Sequence, residues 1–416
     1  GVVADFSGEW QMRPVYLVDG VRTPIGSFGG SLAHSRADDL AAHVITKLFV
    51  RHPNLDPERI TDVVLGCANQ AGEDNRNVAR MAALLAGLPV SVPGETVNRL
   101  CASGMSAVAN AARAVSVGDG DLYIAGGVEQ MTRAPYVMSK SSQPFARNVE
   151  LFDTSLGWRF INPKMRELYG VDSMGQTAEN VAADLNISRA DQDAFALWSQ
   201  QKTAASQKRC RFQTEIVPVS VPGATRGEPA RTFGQDEFPR PDSTIEGLAK
   251  LKPAFRTDGK GSVTAGNSSG INDGACALLL ASEDAVRQYG LAPLARIVAT
   301  SVVGVEPRTM GLGPVPATQK ILAKTKLTLG DLDVIELNEA FAAQVLGCTR
   351  QLGIDDQDPR INPNGGAIAL GHPLGMSGAR LLLTAAHELK ETGKQHALCT
   401  MCVGVGQGMA TIIARV

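Results

Sequence analysis

The chain lacks the features that mark several large classes of protein. No run of 18 or more uninterrupted apolar residues occurs among its 416 residues, so the sequence predicts no membrane-spanning helix and no membrane partner. Lysine plus arginine (40) nearly equals aspartate plus glutamate (42), and a chain without a basic field is not expected to bind nucleic acid. Any anionic ligand must therefore be held by a local group of residues.

The cysteines do not form an even, clustered set of the kind that builds a disulfide framework. There are seven, at positions Cys67, Cys101, Cys210, Cys276, Cys348, Cys399 and Cys402. They indicate reduced thiols, some of them reactive, and together with the lack of a signal-peptide pattern they predict a cytoplasmic protein. Residues 1–11, ahead of Met12, are interpreted as an added leader.

Short runs rich in valine and isoleucine alternate with longer, alanine-rich amphipathic segments, which is typical of an α/β fold with buried strands. The strands are predicted at 60–66, 122–125, 295–303 and 334–337. The helices are predicted at 41–50, 106–117, 192–206, 317–324 and 377–390.

A weak internal repeat divides the chain. Gly104-Met105-Ser106 and Gly375-Met376-Ser377 each open an alanine-rich helix, and each helix follows an acid-led strand. The sequence thus predicts two similar halves, one made of 13–131 plus 272–291 and one of 292–416. The proline-rich stretch 132–271 is interpreted as an inserted loop domain, built of loops around two helical segments, that covers a site.

The first candidate for chemistry is Cys101, in the run Asn98-Arg99-Leu100-Cys101-Ala102-Ser103-Gly104. A strand over 95–100 is predicted to run directly into a helix, which places the thiol near the helix N-terminus. Free N–H groups and the helix dipole favour a thiolate there. The alternative interpretation is a buried structural cysteine.

The second candidate is His372, within the uncharged and glycine-rich run 362–375. An imidazole in such a narrow loop can contact a ligand and exchange a proton near neutral pH. The alternative is a structural histidine, which is how we interpret the other five.

The third candidate is Cys402, which follows Cys399 with C-x-x-C spacing and precedes several glycines. A zinc site is disfavoured because the sequence offers no second pair of ligands at a suitable spacing. A redox pair is disfavoured because a strand would place the two thiols on opposite faces. The glycines, Gly404 among them, fit backbone N–H groups that stabilise an oxyanion. We expect no metal.

A fourth candidate, Asn338, follows the predicted strand 334–337. Ligands bind beyond the carboxyl ends of parallel strands, although a helix cap would also explain an asparagine here.

Together, the Cys101 motif, Asn338-Glu339-Ala340-Phe341, Gly371-His372-Pro373 and the glycine-rich run from Cys402 to Gly408 resemble the thiolase family in order and spacing. The resemblance spans about 13–416. It implies a five-layered αβαβα fold made of two similar halves with an inserted loop domain. It also implies a homo-oligomer, either a dimer or a tetramer.

The resemblance also implies the chemistry of each candidate. Cys101 would be the acylated nucleophile, His372 the base and Cys402 the acid that protonates the acetyl carbon. One oxyanion hole would combine His372 with a water held by Asn338, and the other would use the N–H groups of Cys101 and Gly404.

Acyl-CoA and CoA would be the substrates, with no permanently bound cofactor. In thiolases a loop corresponding to 265–270 contacts pantetheine, which implies Ser269 and Ser268 as contacts to CoA. Phe255 would lie near the adenine, and Met174 would also contact CoA.

The segments 153–163, 169–174 and 401–408 resemble the 3-oxoadipyl-CoA thiolases of aromatic-acid breakdown, and Ser173 stands where many biosynthetic members have histidine. A dicarboxylic acyl chain requires a cationic partner, for which the candidates are Arg133, Arg159 and Arg166.

The alternative functions are a general acetyl-CoA acetyltransferase and a non-catalytic acyl-CoA or lipid carrier. A decarboxylating condensing enzyme would need histidine in place of Cys402.

Overall fold

The computed structural model describes residues 12–416. The predicted leader, residues 1–11, lies outside the described residues. The strands in the described part are β1 Val15–Arg22, β2 Gly26–Ser27, β3 Asp62–Gly66, β4 Gly94–Val97, β5 Leu122–Gln130, β6 Tyr136–Val137, β7 Phe152–Asp153, β8 Val219–Val221, β9 Arg231–Phe233, β10 Asn272–Ser282, β11 Ala295–Gly304, β12 Val334–Leu337, β13 His396–Val403 and β14 Gln407–Arg415.

Every helix predicted from the sequence is present, each extended by one to four residues at an end. The helices of the described part are α1 Ala37–Arg51, α2 Val78–Leu85, α3 Ser103–Ser116, α4 Pro163–Tyr169, α5 Met174–Asp184, α6 Arg189–Lys208, α7 Ile245–Ala249, α8 Glu283–Tyr289, α9 Pro314–Thr325, α10 Ala342–Leu352, α11 Ala367–Leu370 and α12 Leu374–Thr392.

The two halves repeat one strand topology. In the first half β3 is parallel to β5, β5 is antiparallel to β10, and β10 is antiparallel to β1. In the second half β12 is parallel to β13, β13 is antiparallel to β14, and β14 is antiparallel to β11. The order along the chain is also the same, so the weak repeat seen in the sequence is a repeat of structure.

Five layers follow from how these elements pack. One apolar core lies between the two sets of strands and contains the inner faces of α3 and α12. A second core lies under α1 and α2 on the outer side of the first half. A third lies under α9 and α10 on the outer side of the second half. The predicted five-layered arrangement of helices and strands is therefore confirmed.

The central helices approach closely because their contact residues are glycines. A Cβ atom on Gly104 would lie 2.6 Å from the carbonyl oxygen of Gly375, and one on Gly127 would overlap the same oxygen. Larger residues would push α12 away from α3 and β5. The two helix N-termini thus lie beside each other in the centre of the molecule.

The inserted segment leaves the first half between β5 and β10, where the second half has only the short turn from Gly404 to Gly406. It contains four helices, α4 to α7, rather than the two predicted. The expectation of extensive loops was wrong for 163–169, where Pro163 occupies the first helical turn and Asn162 caps it. Proline is well tolerated at that position. The residue-level domain boundaries stay a prediction.

A buried ion network joins this segment to the first half. The guanidinium of Arg22, fully buried on β1, lies 2.9 Å from Glu215 and 2.8 Å from Asp236. Glu215 also pairs with Arg211 at 3.1 Å.

Among residues 12–416, no helix is both long enough and apolar enough to span a membrane.

Candidate active site

Cys101 lies at the entrance to α3, as predicted, although the preceding strand ends at Val97 rather than at residue 100. The side chain of Asn98 accepts a hydrogen bond from the Leu100 N–H at 2.8 Å, and this contact turns the chain out of the strand. Leu100 has a φ of 46°, a left-handed conformation that costs energy for a residue with a Cβ. Strain therefore accompanies the placement of the thiol.

The turn between β13 and β14 closes over this thiol. A Cβ atom on Gly404 would lie 3.4 Å from Cδ1 of Leu100, the residue before Cys101, and the backbone N–H groups of Gly404 and Cys101 act to lower the pKa of the Cys101 thiol. Val405, next to Gly404, has a φ of 64°, so a second strained residue adjoins the second donor. Two N–H groups beside the thiol are suitable donors for an oxyanion that forms on a carbon bonded to the sulfur.

The expected thiolate is not favoured in this environment. Burial raises the pKa of Cys101 to about 11, and the two N–H donors offset only part of that effect. The helix N-terminus was expected to lower the pKa, but removal of the sulfur from water outweighs it. The resting group is a thiol, and a base must take its proton before attack.

His372 is held in a single orientation by two contacts, one of which is itself fixed by a further hydrogen bond. Its backbone N–H donates to Oδ1 of Asn272 at 2.9 Å. Its ring Nδ1 lies 2.5 Å from Oγ of Ser377, whose own proton is donated to the carbonyl of Pro373 at 2.9 Å. Ser377 therefore accepts from Nδ1–H, and the lone pair is on Nε2. Ser377 was not identified from the sequence, although its Gly-Met-Ser motif was noted as part of the repeat.

Asn338 faces the basic nitrogen of this histidine. Its Nδ2 lies 3.5 Å from Nε2 of His372, and its Oδ1 is buried without a hydrogen-bond partner in the described part of the chain. An orphaned amide oxygen beside a ring nitrogen is a suitable position for an ordered water. Burial, and secondarily the charge of Arg380, lowers the pKa of His372 to about 4, so its imidazole is neutral near pH 7.

Cys402 is the remaining side chain for which the sequence predicted chemistry. Burial, and secondarily the nearby Cys101, raises the pKa of its thiol well above the ordinary value, so it carries a proton that it can donate. Cys399 packs in the central core and Cys402 in the outer core of the second half. The prediction that the two thiols face opposite sides of the strand is confirmed, and both are unpaired.

Long-range contacts that the sequence did not reveal brace the site. Arg99 donates to Oγ of Ser106 at 3.0 Å and to Oε1 of Gln407 at 2.8 Å, which ties the Cys101 loop to the turn that carries Gly404. Glu129 accepts backbone N–H bonds from Ala68 at 2.9 Å and Gly375 at 3.0 Å. These contacts link the N-terminus of α12 to the first half.

Glu339 braces the histidine loop in the same way. It accepts hydrogen bonds from Ser199 at 2.6 Å, from Asn362 at 2.7 Å and from the backbone N–H of Ile368 at 3.2 Å. The motif that contains Asn338 thus supplies a buried carboxylate that holds 362–368 in place.

The residues expected to contact CoA gather on one side of the cleft. The ring of Phe255 lies 6.2 Å from that of Phe341, and the sulfur of Met174 would be 3.3 Å from a Cβ atom on Gly404. Ser269 donates its N–H to Ala340 at 2.9 Å and is partly exposed. The hydroxyl of Ser268 is instead donated to Thr264 at 2.6 Å.

The three candidate arginines lie in different settings. Arg133 makes two hydrogen bonds to the carboxylate of Glu73. Arg166 is exposed on α4, a helix without buried residues. Arg159 is half-buried, and its Nη2 lies 3.4 Å from Oδ1 of Asn69.

Comparison with known proteins supports this description. Family models described as "Thiolase, N-terminal domain" and "Thiolase, C-terminal domain" match residues 15–284 and 291–415. A 3-oxoadipyl-CoA/3-oxo-5,6-dehydrosuberyl-CoA thiolase from Escherichia coli (strain K12) is 60% identical over 405 residues, covering 97% of this chain and 100% of that protein.

More distant relatives share the same length and fold. An acetyl-CoA acetyltransferase from Chromobacterium violaceum is 48% identical, with 96% of this chain and 99% of that protein covered. The crystal structure of the Bacillus anthracis acetyl-CoA acetyltransferase superposes with a TM-score of 0.90 at 40% identity, covering 98% of this chain and 100% of that one. The chain belongs to the thiolase family.

Proposed function

We propose that this protein cleaves 3-oxoadipyl-CoA with CoA to give succinyl-CoA and acetyl-CoA, as a step in aromatic-acid breakdown. The turn at Gly404 packs against the Cys101 loop, where a Cβ atom on Gly404 would lie 3.4 Å from Cδ1 of Leu100, and this packing carries the assignment to acyl transfer. The choice of substrate is supported by the higher identity to the 3-oxoadipyl-CoA thiolase than to the acetyl-CoA acetyltransferase.

In the first half-reaction, Nε2 of His372 takes the Cys101 proton and the sulfur attacks the 3-keto carbon. The oxygen of the tetrahedral intermediate lies between the N–H groups of Cys101 and Gly404. The bond between C2 and C3 then breaks, the electron pair passes to an acetyl-CoA enolate, and the Cys402 thiol protonates its carbon. His372 and a water on Asn338 stabilise the enolate oxygen.

In the second half-reaction, the acyl group leaves Cys101. His372 first gives the Cys101 proton to the Cys402 thiolate, so that both groups return to their starting state. His372 then takes the proton of the incoming CoA thiol, whose sulfur attacks the acyl-enzyme carbonyl. The bond from that carbon to Cys101 breaks, and the departing sulfur takes the proton from His372. Ser269, Phe255 and Met174 are assigned to hold CoA. CoA is consumed as a co-substrate, and the expectation of no permanently bound cofactor or metal stays a prediction.

The protein is also proposed to act as a homo-oligomer, either a dimer or a tetramer. Among the strands of residues 12–416, β4 lies at the end of the sheet and has one side unpaired. Open sheet edges favour pairing with a second chain. Large apolar side chains are exposed through 136–169, among them Tyr136, Phe145 and Phe160, as at protein interfaces. Light scattering on the purified protein will give the subunit number.

The seven unpaired cysteines support the proposed cytoplasmic location.

Intact-mass measurement tests the proposed function. With 3-oxoadipyl-CoA and no free CoA, the protein should gain one succinyl group, and Cys101→Ala should gain none. A carrier without catalysis would gain no adduct. Steady-state thiolysis of 3-oxoadipyl-CoA and acetoacetyl-CoA decides the substrate, and a clear preference for acetoacetyl-CoA would identify a general acetyl-CoA acetyltransferase instead.

A further inference from the structure

We infer that Arg159 recognises the free carboxylate at the far end of the acyl chain and so selects dicarboxylic 3-oxoacyl-CoA substrates. The inference rests on the function proposed above, because only a dicarboxylic substrate brings this group into the site.

The chemistry sets the distance over which the carboxylate must be recognised. After attack on the 3-keto carbon, the acyl group left on Cys101 is a succinyl thioester, with two methylenes between its carbonyl and its carboxylate. Bonds of about 1.5 Å place that carboxylate carbon roughly 5–6 Å from the sulfur. Its partner must therefore belong to the walls of the Cys101 cleft.

Arg159 reaches one of these walls. Its guanidinium contacts Asn69, which follows Ala68 in the chain. The carbonyl of Ala68 accepts a hydrogen bond at 3.3 Å from Nδ2 of Asn98, and Asn98 begins the loop that carries Cys101. The contact point of Arg159 is thus adjacent to the nucleophile loop.

The preceding residue, Trp158, lies near the turn between β13 and β14. Trp158 lines a small cavity together with Met174 and Val405, and its Nε1 donates to the carbonyl of Asp172 at 3.1 Å. Val405 follows Gly404 in the turn over the thiol. Of these two adjacent residues, Trp158 thus lies against the turn that carries Gly404, and Arg159 contacts the chain next to the nucleophile loop.

The charge of Arg159 is not neutralised. Within residues 12–416 no carboxylate lies within 4.0 Å of its guanidinium, and its hydrogen bonds go to the neutral oxygens of Gly157 at 3.2 Å and Asn69 at 3.4 Å. A half-buried guanidinium with long contacts to neutral oxygens retains donors for a carboxylate, which it binds in a two-point geometry.

Three other arginines of this region do not meet these conditions. Arg133 is occupied by Glu73, and Arg166 is exposed. Arg308 lines the same cavity as Trp158, but it pairs with Asp184 at 2.6 Å. Of these four arginines, Arg159 is the one that is half-buried and has no carboxylate partner within residues 12–416.

The test compares 3-oxoadipyl-CoA with 3-oxohexanoyl-CoA, which has the same chain length and a methyl group in place of the carboxylate. Arg159→Met should lower kcat/KM for 3-oxoadipyl-CoA by about 10- to 100-fold, the range for a hydrogen bond to a charged group. The loss should lie mainly in KM. For 3-oxohexanoyl-CoA, kcat/KM of the variant should be close to that of the unmodified protein. Arg159→Lys should restore part of the loss, and the matched control Arg166→Met should change neither substrate.

The outcomes separate the two proposals. If the unmodified protein prefers 3-oxoadipyl-CoA and Arg159→Met keeps that preference, the function stands and the role of Arg159 is wrong. An equal loss on both substrates would show that Arg159 only supports the fold, and would also overturn the inference. If the unmodified protein shows no preference for the dicarboxylic substrate, the proposed substrate and this inference both fail.

Discussion

Nδ1 of His372 and Oγ of Ser377 lie 2.5 Å apart, and the serine proton is already donated to the carbonyl of Pro373. This pair fixes the tautomer in which Nε2 is the base. Ser106, at the corresponding position of the other Gly-Met-Ser motif, accepts a hydrogen bond from Arg99. Each half thus uses the same helix position to hold a residue of the active-site loops.

Replacement of Ser377 by alanine should free the imidazole to rotate and to exchange tautomers. We expect kcat to fall by about 10- to 100-fold, part of the 10²–10⁴ that a positioned base contributes, with little change in KM. Steady-state thiolysis will measure it. Ser116→Ala, which removes a hydroxyl that donates to Arg113 within α3, is the control. Unchanged kcat in Ser377→Ala would contradict the assigned role.

The pH dependence should report the lowered pKa of His372. Because burial and Arg380 lower that pKa to about 4, the base stays deprotonated as the pH falls, and activity is lost only as the pH approaches 4. The kcat/KM for acylation should stay nearly flat from pH 8 to 5.5. A base with the ordinary pKa of 6.5 would lose about tenfold at pH 5.5, and such a loss would refute the prediction.

The contact between Arg99 and Gln407 should support the oxyanion hole. Gln407→Leu removes the acceptor of Arg99 and loosens the turn that presents the Gly404 N–H. Rapid-quench measurement of acyl-enzyme formation should show about a tenfold slower step, less than the loss of a full oxyanion-hole donor. Gln395→Leu, near the start of the neighbouring strand, is the control. An unaltered acylation rate would dismiss this role.

Cys402→Ser should separate the two half-reactions. Acylation of Cys101 by acetyl-CoA should persist, because this attack uses His372 and forms no enolate. Exchange of the acetyl-CoA methyl protons with deuterium should slow strongly, since a hydroxyl is a weaker acid than a thiol. Mass spectrometry and NMR measure the two steps. Cys210→Ser, at an exposed cysteine, should alter neither. Loss of acylation in Cys402→Ser would contradict the division of roles.

The buried cation of the first half should be essential for stability. Arg22→Met leaves Asp236 without its cation and removes one partner of Glu215, which should cost about 3–5 kcal/mol. Denaturant unfolding will measure the loss against Arg287→Met, which breaks an exposed pair with Asp284 and should have little effect. Equal stability of the two variants would show that the network contributes nothing.

The sequence predicts best what depends on local pattern. Strand β12 has the bounds predicted for it, because an acid-led apolar run between turns has few other interpretations. Cys101, His372 and Cys402 were also identified from a local pattern, the glycine-rich runs around them. These signals require only neighbours in the chain.

What the sequence did not predict depends on contacts between distant residues. Arg99 and Gln407 are 308 positions apart, and Glu129 and Gly375 are 246 apart, so no local pattern pairs them. The protonation of Cys101 was misjudged for a related reason. The helix N-terminus is visible in the sequence, whereas the burial that outweighs it comes from the whole fold.

The insertion between β5 and β10 occupies the place where the second half makes the tight turn from Gly404 to Gly406. Two copies of one topology would give a symmetric cleft with identical walls. Here one copy provides the backbone turn to which we assign an oxyanion-binding N–H, while the other carries the insertion of about 140 residues to which we assign the choice of acyl chain. Catalysis and selectivity are thus encoded at equivalent positions of a duplicated unit, and substrate preference can change without disturbing the reacting groups.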